Sequence, residues 1–581
     1  MLSNSAIAGG VAGAYLAVVI LQLNPDYPMR PGALAPVFLM TGAAYGLNLT
    51  VVFYAIIVLR QILAVEVLSP GWVSVRLLSW LLTMAAAGGA SVMWLNVRGF
   101  GDVLDAETTR RMAAGAIVVT GAGAVFLMTA LAHLNRRGGR PSATILVLTA
   151  LLSIVVPATL RGPARVSLPA VRERAPVAAP LALAPAGGRL LLLMLDGASL
   201  DVITPAVAEG RLPNFGRIFD GGAVTHLATL KPTQAETVWS AAATGRGPMH
   251  NGVRSSAVYR VIGLTPALTL LPDYCFAQAL VRFGFLWEEP HTAEDLAARP
   301  LWRVLSDQGV SVGVIGWPLT YPATPVGGYL VSDRFHAMTP AEIDLDGAAA
   351  VWPPSLLDLA RDSLGATAEP DPVALLAAAG GPPAGDYDVA SDPAPVLADR
   401  VHGALALPLV ETSVRFVAVR FPGVDAVGHY FLRFADPAPF GDVSDDERRR
   451  YGRLLEQYYA FIDTHVGHWL DRLGPDDVLL VASGFGMEPL SVGKRLLERV
   501  VGNPAISGTH ERAPDGFLLA FGGPVRPGRP PRASVVDLAP TVLYYFGLPV
   551  GRDMDGFART ELFRPAFTAD RPVTYIPGYG R

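Results

Sequence analysis

Five apolar stretches near the start of the chain constrain its fold more than any other feature. Each is long enough to cross a bilayer, which takes about 20 apolar residues in a helix. Charged residues make up only 17% of the 581 residues, against about 25% in an ordinary soluble protein. The stretches are Ala6–Leu23, Leu34–Leu59, Leu77–Leu95, Ala113–Leu134 and Ala143–Leu160. They predict a polytopic membrane anchor over residues 1–160.

The composition of these stretches indicates an anchor rather than a transporter. No Lys or Arg precedes Arg30 and four more spans follow the first, so the first span is interpreted as a retained helix and not a signal peptide. None of the five carries a charged residue near its middle, whereas ion and proton paths usually need one. We therefore expect the lipid bilayer to be a partner of this region.

Basic residues in the short loops predict the orientation of the anchor. The loops between spans two and three and between spans four and five contain Arg60, Arg76, Arg136, Arg137 and Arg140. Basic loops tend to stay in the cytoplasm. This bias predicts a cytoplasmic N-terminus, and an odd number of spans then puts the chain after Leu160 on the non-cytoplasmic side of the cell (inner) membrane.

The rest of the chain has the pattern of an α/β domain. Residues 161–188 are rich in Pro and Ala, including Pro176, Pro180 and Pro185, and predict a semi-extended linker. Beyond it, apolar runs alternate with helical patterns, which indicates a doubly wound, mostly parallel sheet over 189–581. The predicted strands are Leu190–Leu195, Val310–Ile315, Val414–Val419 and Val478–Ala482. Residues 255–413 are interpreted as an inserted cap region.

Candidate site residues follow these strands. In a doubly wound sheet, ligands bind beyond the carboxyl ends of the strands. Asp196 follows the first strand, and Asp425 and His429 follow the third. A spacing of four puts Asp425 and His429 on one face of a helical turn, where a carboxylate and an imidazole make good zinc ligands. His510 comes later, in Ser507-Gly-Thr-His510.

These residues stand in an ordered set of motifs that resembles the type I phosphodiesterase / nucleotide pyrophosphatase family of the alkaline phosphatase superfamily. The resemblance runs from about Arg189 to Arg581. The motifs are Met194–Gly197, Pro232–Ser240 leading into Thr244-Gly245, Asp425 to His429, Gly508–His510 with Asp515-Gly516, and the closing Ser534–Leu543, Gly547–Pro549 and Met554–Gly556. The resemblance implies an alkaline-phosphatase-like fold and a site for two metal ions, usually zinc.

The chain departs from the family pattern in one half of that site. The resemblance implies that Asp425, His429 and His510 hold one metal, and all three are present. The other metal would be held by Asp196, by an Asp-His pair and by a nucleophilic Thr or Ser. Gly484 and Phe485 stand at the positions of the Asp-His pair, and Ala235 stands at that of the nucleophile. We therefore expect one divalent metal, zinc, and no second metal bound in the usual way.

Two functions from different classes stay open. The first is a single-metal phosphoester hydrolase, since three protein ligands plus water is the pattern of catalytic zinc. Glu236 is its candidate base and Thr237 or Thr233 a substitute nucleophile, although Glu236 also has a structural explanation as a helix-start carboxylate. The second is a catalytically silent domain that binds a ligand or acts as a membrane scaffold. Apolar filling around Phe485 would favour the silent domain.

Charge and cysteine content exclude some classes and leave the substrate open. The formal net charge of −4 gives no sign of a nucleic acid polymer as partner. The single cysteine, Cys275, excludes an intrachain disulfide and a Cys-rich zinc site, and is interpreted as a small buried residue. A phosphorylated small molecule, a nucleotide or a lipid-linked phosphate all suit the resemblance.

Overall fold

The computed structural model describes residues 1–64, 73–134, 141–162, 188–261, 266–365, 371–379, 394–501, 504–510 and 514–580. Nearly all of the predicted linker, with Pro176, Pro180 and Pro185, lies outside these ranges. The basic residues Arg136, Arg137 and Arg140 lie outside them as well.

The N-terminal region is helical, as predicted. Five helices are long and apolar enough to cross a membrane, which confirms the predicted number of spans. The second span contains a π-helical turn at Gly42–Gly46, where α2 passes into α3. The helices are α1 (Leu2–Leu23), α2 (Pro31–Thr41), α3 (Leu47–Ala64), α4 (Val75–Gly99), α5 (Ala106–Leu134) and α6 (Pro141–Thr159).

Glycines let the first two spans approach closely. A Cβ on Gly9 would lie 2.3 Å from Thr50 Oγ1 and 2.4 Å from the carbonyl oxygen of Gly46, so no larger residue fits there. Small residues at such crossings allow the dispersion contacts that hold helices together in lipid. The neighbouring Gly10 is exposed and has nothing within 4 Å of its Cβ position.

The remainder of the chain alternates strands and helices. The strands are β1 (Leu190–Leu195), β2 (Ala223–Ala228), β3 (Ala257–Val261), β4 (Ala267–Leu268), β5 (Leu286–Pro290), β6 (Val312–Ile315), β7 (Gly328–Val331), β8 (Val351–Trp352), β9 (Phe416–Phe421), β10 (Val478–Phe485), β11 (Glu488–Pro489), β12 (Gly508–Thr509), β13 (Asp515–Gly522), β14 (Ala533–Ser534), β15 (Val550–Gly551) and β16 (Tyr575–Ile576).

Helices separate most of these strands. They are α7 (Leu200–Ala208), α8 (Pro213–Gly221), α9 (Ala235–Thr244), α10 (Pro248–Asn251), α11 (Gln278–Arg282), α12 (Leu301–Asp307), α13 (Pro340–Ala350), α14 (Leu357–Leu364), α15 (Pro372–Ala379), α16 (Ala394–Val410), α17 (Gly423–Ala435), α18 (Asp445–Tyr451), α19 (Leu454–Leu470), α20 (Val492–Val501), α21 (Leu538–Tyr545) and α22 (Pro565–Thr568).

The main sheet has nine strands in the order β14-β2-β13-β10-β1-β9-β6-β7-β8. Its centre, β10-β1-β9-β6-β7, is parallel, whereas β13 and β8 pair antiparallel with their neighbours. All six residues of β1 are buried, because apolar clusters cover the sheet on both faces. The predicted doubly wound, mostly parallel sheet is confirmed.

One strand boundary differs from the sequence prediction in a way that matters for the site. The third predicted strand ended at Val419, where the apolar run stops, but β9 continues through Arg420 to Phe421. Arg420 stands opposite Met194 in the parallel pairing with β1. The charge of Arg420, at a largely buried position, is neutralised by a carboxylate.

The structure divides into two compact units, and the division crosses the predicted domain bounds. One unit comprises Met1–Arg172 together with Arg254–Pro290, and the other comprises Glu173–Val253 and His291–Arg581. The sequence pattern assigned residues from 255 onward to the cap insertion. In the structure, the three-stranded antiparallel sheet β4-β3-β5 of this segment instead packs with α1 and α2, since Tyr259 and Leu268 share a buried cluster with Ile20 and Leu21. We call Arg254–Pro290 the insert.

The close approach at Gly9 predicts a position-specific loss of stability. Gly9→Ala should destabilise the membrane unit by about 1–3 kcal/mol, because the added methyl group must displace Thr50 or the backbone of Gly46. The thermal unfolding of the full chain in detergent measures the effect. Gly10→Ala is the matched control and should leave the midpoint unchanged. Equal midpoints for the two variants would contradict this packing.

Candidate metal centre

Helix α17 places two of the predicted ligands side by side. It begins at Gly423, directly after β9, so Asp425 lies in its first turn and His429 one turn further on. Nε2 of His429 lies 3.5 Å from Oδ2 of Asp425. The carboxylate and the imidazole therefore face each other at the carboxyl end of a central strand, as the spacing of four predicted.

His510 completes the group from a distant part of the chain. It follows β12, and its Nε2 lies 3.8 Å from the same Oδ2 of Asp425. One ligand atom from each of Asp425, His429 and His510 lies within 4.8 Å of the other two. Among the described residues, these three side chains form a group that could hold a metal ion.

Backbone carbonyls orient both imidazoles toward the carboxylate. Nδ1 of His429 bonds to the carbonyl oxygen of Gly508 at 2.8 Å, and Nδ1 of His510 to that of Thr233 at 2.9 Å. Each Nδ1 must then carry the proton, which leaves each Nε2 as an acceptor. Oδ1 of Asp425 is buried and has no hydrogen-bond partner. Two free nitrogens and an unsatisfied carboxylate oxygen fit a divalent metal, and zinc accepts this ligand set.

The charges of the group support each other. Burial opposes ionisation of Asp425, but His429 and His510, with Arg420 beyond them, outweigh it and hold the pKa of the carboxyl below its ordinary value. Burial likewise opposes protonation of His429, yet Asp425 outweighs it and raises the pKa of this imidazole. Without a metal, the site holds a proton more tightly than an isolated histidine would, so acid and metal compete for it.

Gly197 allows the end of β1 to reach this group. Its φ is +68°, and a Cβ there would lie 2.6 Å from Oδ1 of Asp425. Any larger residue would displace the carboxylate. An open groove of about 390 Å³ runs alongside, lined by Gly197, Val424, Gly428, Tyr459 and Met487 among others.

Asp196 lies outside the three-residue group and instead pairs with Arg420 and Trp239. Its Oδ2 accepts hydrogen bonds from Nε (3.0 Å) and Nη2 (2.5 Å) of Arg420, and its Oδ1 accepts one from Nε1 of Trp239 (2.6 Å). The Asp196 side chain is 2% exposed and that of Arg420 is 14% exposed. The carboxylate that the resemblance assigns to the second metal thus already has a cation.

Arg420 is the site residue that the sequence interpretation missed. Its guanidinium also lies among the charges of Glu236 and Asp333. Burial raises the pKa of both carboxyl groups, against the opposing charge of Arg420. Asp333 accepts hydrogen bonds from the backbone N–H of Leu319 (3.0 Å) and Thr320 (3.3 Å). A lone charge at the end of an otherwise apolar strand was the signal that could have identified Arg420.

The remaining positions of the expected second site are small or apolar. Phe485, at the end of β10, is fully buried and packs its ring 4.9 Å from that of His510. A Cβ on Gly484 would lie 2.5 Å from Val238, so a larger side chain there is crowded. Neither Gly484 nor Phe485 has a side chain that can bind a metal.

Helix α9 carries Ala235, Glu236 and Thr237, and Thr233 lies two residues before it. Ala235 is its first residue and Glu236 lies in its first turn, where both a catalytic and a capping carboxylate can stand. Thr237 is fully buried and its hydroxyl has no partner. The hydroxyl of Thr233, which is 2% exposed, donates to the carbonyl oxygen of Leu230 at 2.7 Å.

The fold and the candidate site define an alkaline-phosphatase-like α/β domain attached to a bundle of apolar helices. A model of the type I phosphodiesterase / nucleotide pyrophosphatase family matches residues 190–523, more than half of the chain. The chain belongs to this family, which confirms the resemblance inferred from the motifs. The family is metal-dependent, and the chain is a membrane-associated, phosphoester-hydrolase-like protein.

Solved structures that match this chain include two of murine ectonucleotide pyrophosphatase / phosphodiesterase 5. An inactive form of that protein in complex with AMP is 11% identical, with a TM-score of 0.37, and the match covers 62% of this chain and 95% of that one. The second structure is 11% identical, with a TM-score of 0.38, and the match covers 65% and 100%. No curated protein sequence matches this chain.

The buried pair of Arg420 and Asp196 predicts a large, one-sided effect of mutation. Arg420→Met should destabilise the phosphodiesterase domain by about 3–5 kcal/mol, because it leaves a buried carboxylate without a cation. Adding Asp196→Asn should restore part of the loss, since it removes the unpaired charge. Thermal unfolding of the full chain in detergent measures both variants.

A more exposed pair provides the control. Arg433 bonds to Asp442 at 2.9 Å, but the Asp442 side chain is 42% exposed. Arg433→Met should therefore lower stability by less than about 1 kcal/mol. If Arg420→Met behaved like Arg433→Met, the pairing with Asp196 would not be the buried ion pair described above.

Proposed function

We propose that this chain is a membrane-anchored, single-metal phosphoester hydrolase, with its phosphodiesterase domain on the non-cytoplasmic side and a nucleotide-like phosphoester as substrate. The observation that carries the proposal is the orientation of His429 and His510, whose Nε2 atoms both face Oδ2 of Asp425. The odd number of apolar spans and the basic loop residues support the orientation in the membrane. Membership of the family supports the substrate class.

Asp425, His429 and His510 would hold the metal and leave coordination positions open. A divalent metal there supplies a Lewis acid for a phosphoryl oxygen and lowers the pKa of water. The protein keeps both imidazoles in the ligating tautomer through the carbonyl oxygens of Gly508 and Thr233. The groove beside Gly197 and Met487 offers room for the organic part of a substrate.

Arg420 would act as a fixed cation in place of a second metal. Its guanidinium lies at the carboxylate that the family uses for that metal, and it is held there by Asp196. Phosphoryl transfer needs positive charge around the equatorial oxygens. A guanidinium supplies it without a metal, and its planar donors suit phosphate oxygens. Asp196 would then be a residue that positions Arg420 rather than a metal ligand.

Glu236 is the proposed proton acceptor, because Ala235 offers no nucleophilic hydroxyl. Burial raises the pKa of the Glu236 carboxyl above its ordinary value, against the opposing charge of Arg420, which makes the carboxylate a stronger base. Thr237 suits the role of substitute nucleophile less well, since it is fully buried. With no alkoxide from the protein, water is the nucleophile, and no covalent intermediate with the chain is expected.

A second candidate function is a catalytically silent domain that binds a phosphorylated ligand. The specific observation in its favour is Phe485, whose ring packs against His510 and belongs to the apolar core. This is the apolar filling that the sequence interpretation associated with silence. The two candidates share one metal and one anion site and differ in turnover.

The first experiment is the metal content of the full chain in detergent, measured by mass spectrometry beside a screen with nucleotide and aryl phosphodiesters. The proposal expects one metal per chain, lost in His429→Ala and retained in Asp196→Asn, with turnover that depends on the metal. Metal and AMP binding without turnover would replace the hydrolase by the silent domain. Two metals per chain would overturn the role given to Arg420.

The pH profile tests the role of Glu236. If this carboxylate accepts a proton, kcat/KM should fall as pH drops through its raised pKa, because only the ionised form is a base. Glu236→Gln should lower kcat by about 100-fold or more and remove that limb of the profile. Glu236→Asp is the matched control and should keep the limb with reduced kcat. A profile unchanged in Glu236→Gln would leave the carboxylate as a helix-start residue only.

A further inference from the structure

We propose that Leu270–Ala277, at the centre of the insert, is a re-entrant segment that enters the bilayer beside α1, α2 and α4, and that the aromatic residues flanking it lie in the lipid interface. The segment comes from the part of the chain predicted to cap the candidate site. In the structure, the segment instead contacts residues of the apolar spans, which places it where lipid would surround it.

The insert begins at the end of the bundle where α1 finishes. Arg254 is 2% exposed, and its Nη2 lies 3.4 Å from Oδ2 of Asp26, just beyond α1. The same Nη2 donates to Oγ1 of Thr269 at 2.6 Å. These contacts bring the start of the insert and the residue before the re-entrant segment to the same end of α1.

Two asparagines, one directly after α1 and one within α4, bind the backbone of the segment as a neighbouring strand would. Asn24 donates to the carbonyl oxygen of Leu270 (2.8 Å) and accepts from its N–H (3.0 Å). Asn96 donates to the carbonyl oxygen of Asp273 (3.0 Å) and accepts from its N–H (2.9 Å). Irregular backbone at membrane depth is stable only when protein groups satisfy its polar atoms. The two amides meet this condition for the backbone of Leu270 and Asp273.

Beyond the asparagines, the segment reaches apolar residues within the spans. Cys275 and Ala277 are buried with Leu16 of α1, and Tyr45 and Val92 pack against this cluster. Leu16 and Val92 are each seven residues from the end of their helix, which is about 10 Å along the axis. Cys275 is therefore in contact with residues about two turns inside the apolar spans.

The side chains that alternate with these buried residues are large, aromatic and exposed. Tyr274 is 37% exposed and Phe276 is 49% exposed, whereas Cys275 between them is 6% exposed. Phe283 and Trp287 further along the insert are 73% and 67% exposed. Aromatic residues are enriched at the membrane–water interface, and such a concentration on one segment marks an interaction surface. Its continuity with the spans identifies lipid as the partner.

The proposal has a consequence for how the phosphodiesterase domain is tethered. The chain passes from that domain into the insert after Val253 and returns at His291. With the connection that follows α6, three chain crossings join the two units. A re-entrant insert would therefore hold the domain to the membrane more firmly than a single Pro- and Ala-rich linker could.

Depth measurements on the full chain in phosphatidylcholine vesicles test the lipid contact. Nitroxide labels at Phe276→Cys and Phe283→Cys should collide with oxygen in preference to a water-soluble nickel complex. Ile117→Cys, on the exposed face of α5, is the lipid reference, and Leu345→Cys, on α13, is the water reference. The native chain, whose one cysteine is buried, is the unlabelled blank.

Access to Cys275 tests the docking of the segment. Asn96→Ala should raise the labelling rate of Cys275 by a membrane-impermeant maleimide about tenfold, because the segment loses two hydrogen bonds to α4. Asn48→Ala is the matched control and should leave the rate unchanged, since the Asn48 amide donates to the carbonyl oxygen of Ala44, one turn earlier in the same span.

The outcomes separate the possibilities. The proposal is supported if oxygen reaches the nitroxide labels at both Phe276→Cys and Phe283→Cys. It also requires that the maleimide label Cys275 faster in Asn96→Ala but not in Asn48→Ala. Nickel access at Phe276→Cys and Phe283→Cys equal to that at Leu345→Cys would overturn it. Labels that become shielded only when another protein is added would overturn it as well, because the aromatic surface would then be a protein interface.

Discussion

The ion pair between Arg420 and Asp196 joins the ends of the two central strands β9 and β1, and the chemistry of the site depends on it. A buried guanidinium and a buried carboxylate are each unfavourable alone, and together they are stable only with good hydrogen bonds. Trp239 supplies the further donor that Asp196 needs. The pair therefore fixes a guanidinium at the carboxyl edge of the sheet, where the resemblance implies a second metal ion.

The two halves of the candidate site differ in how they would provide a cation. One half has an acceptor set, in which Asp425, His429 and His510 present free oxygen and nitrogen atoms to each other. The other half has a permanent cation, surrounded by Asp196, Glu236 and Asp333. A metal can leave the first half as pH falls, whereas the guanidinium cannot leave the second. The proposed hydrolase would thus combine an exchangeable metal ion, which acts as a Lewis acid, with the permanent single positive charge of Arg420.

Much of this arrangement was predictable from local patterns. The five apolar spans, the buried run of β1 and the helical spacing of Asp425 and His429 depend on residues near one another in the chain, and the structure confirms the spans and the sheet. The bounds of β9 were wrong by two residues at each end, because an apolar run does not reveal that a charged residue can continue a buried strand.

The sequence by itself determined the membrane anchor, the α/β class and the metal-ligand motif, since hydrophobic length, strand–helix alternation and helical spacing are local properties. Only the tertiary structure decided the partners of those residues. It paired Arg420 with Asp196 across two strands 224 residues apart, oriented His510 through the carbonyl oxygen of Thr233, and grouped the insert with the spans rather than with the cap. The physical reason is that each of these contacts joins groups far apart in the chain, and their energies depend on burial that no single segment contains.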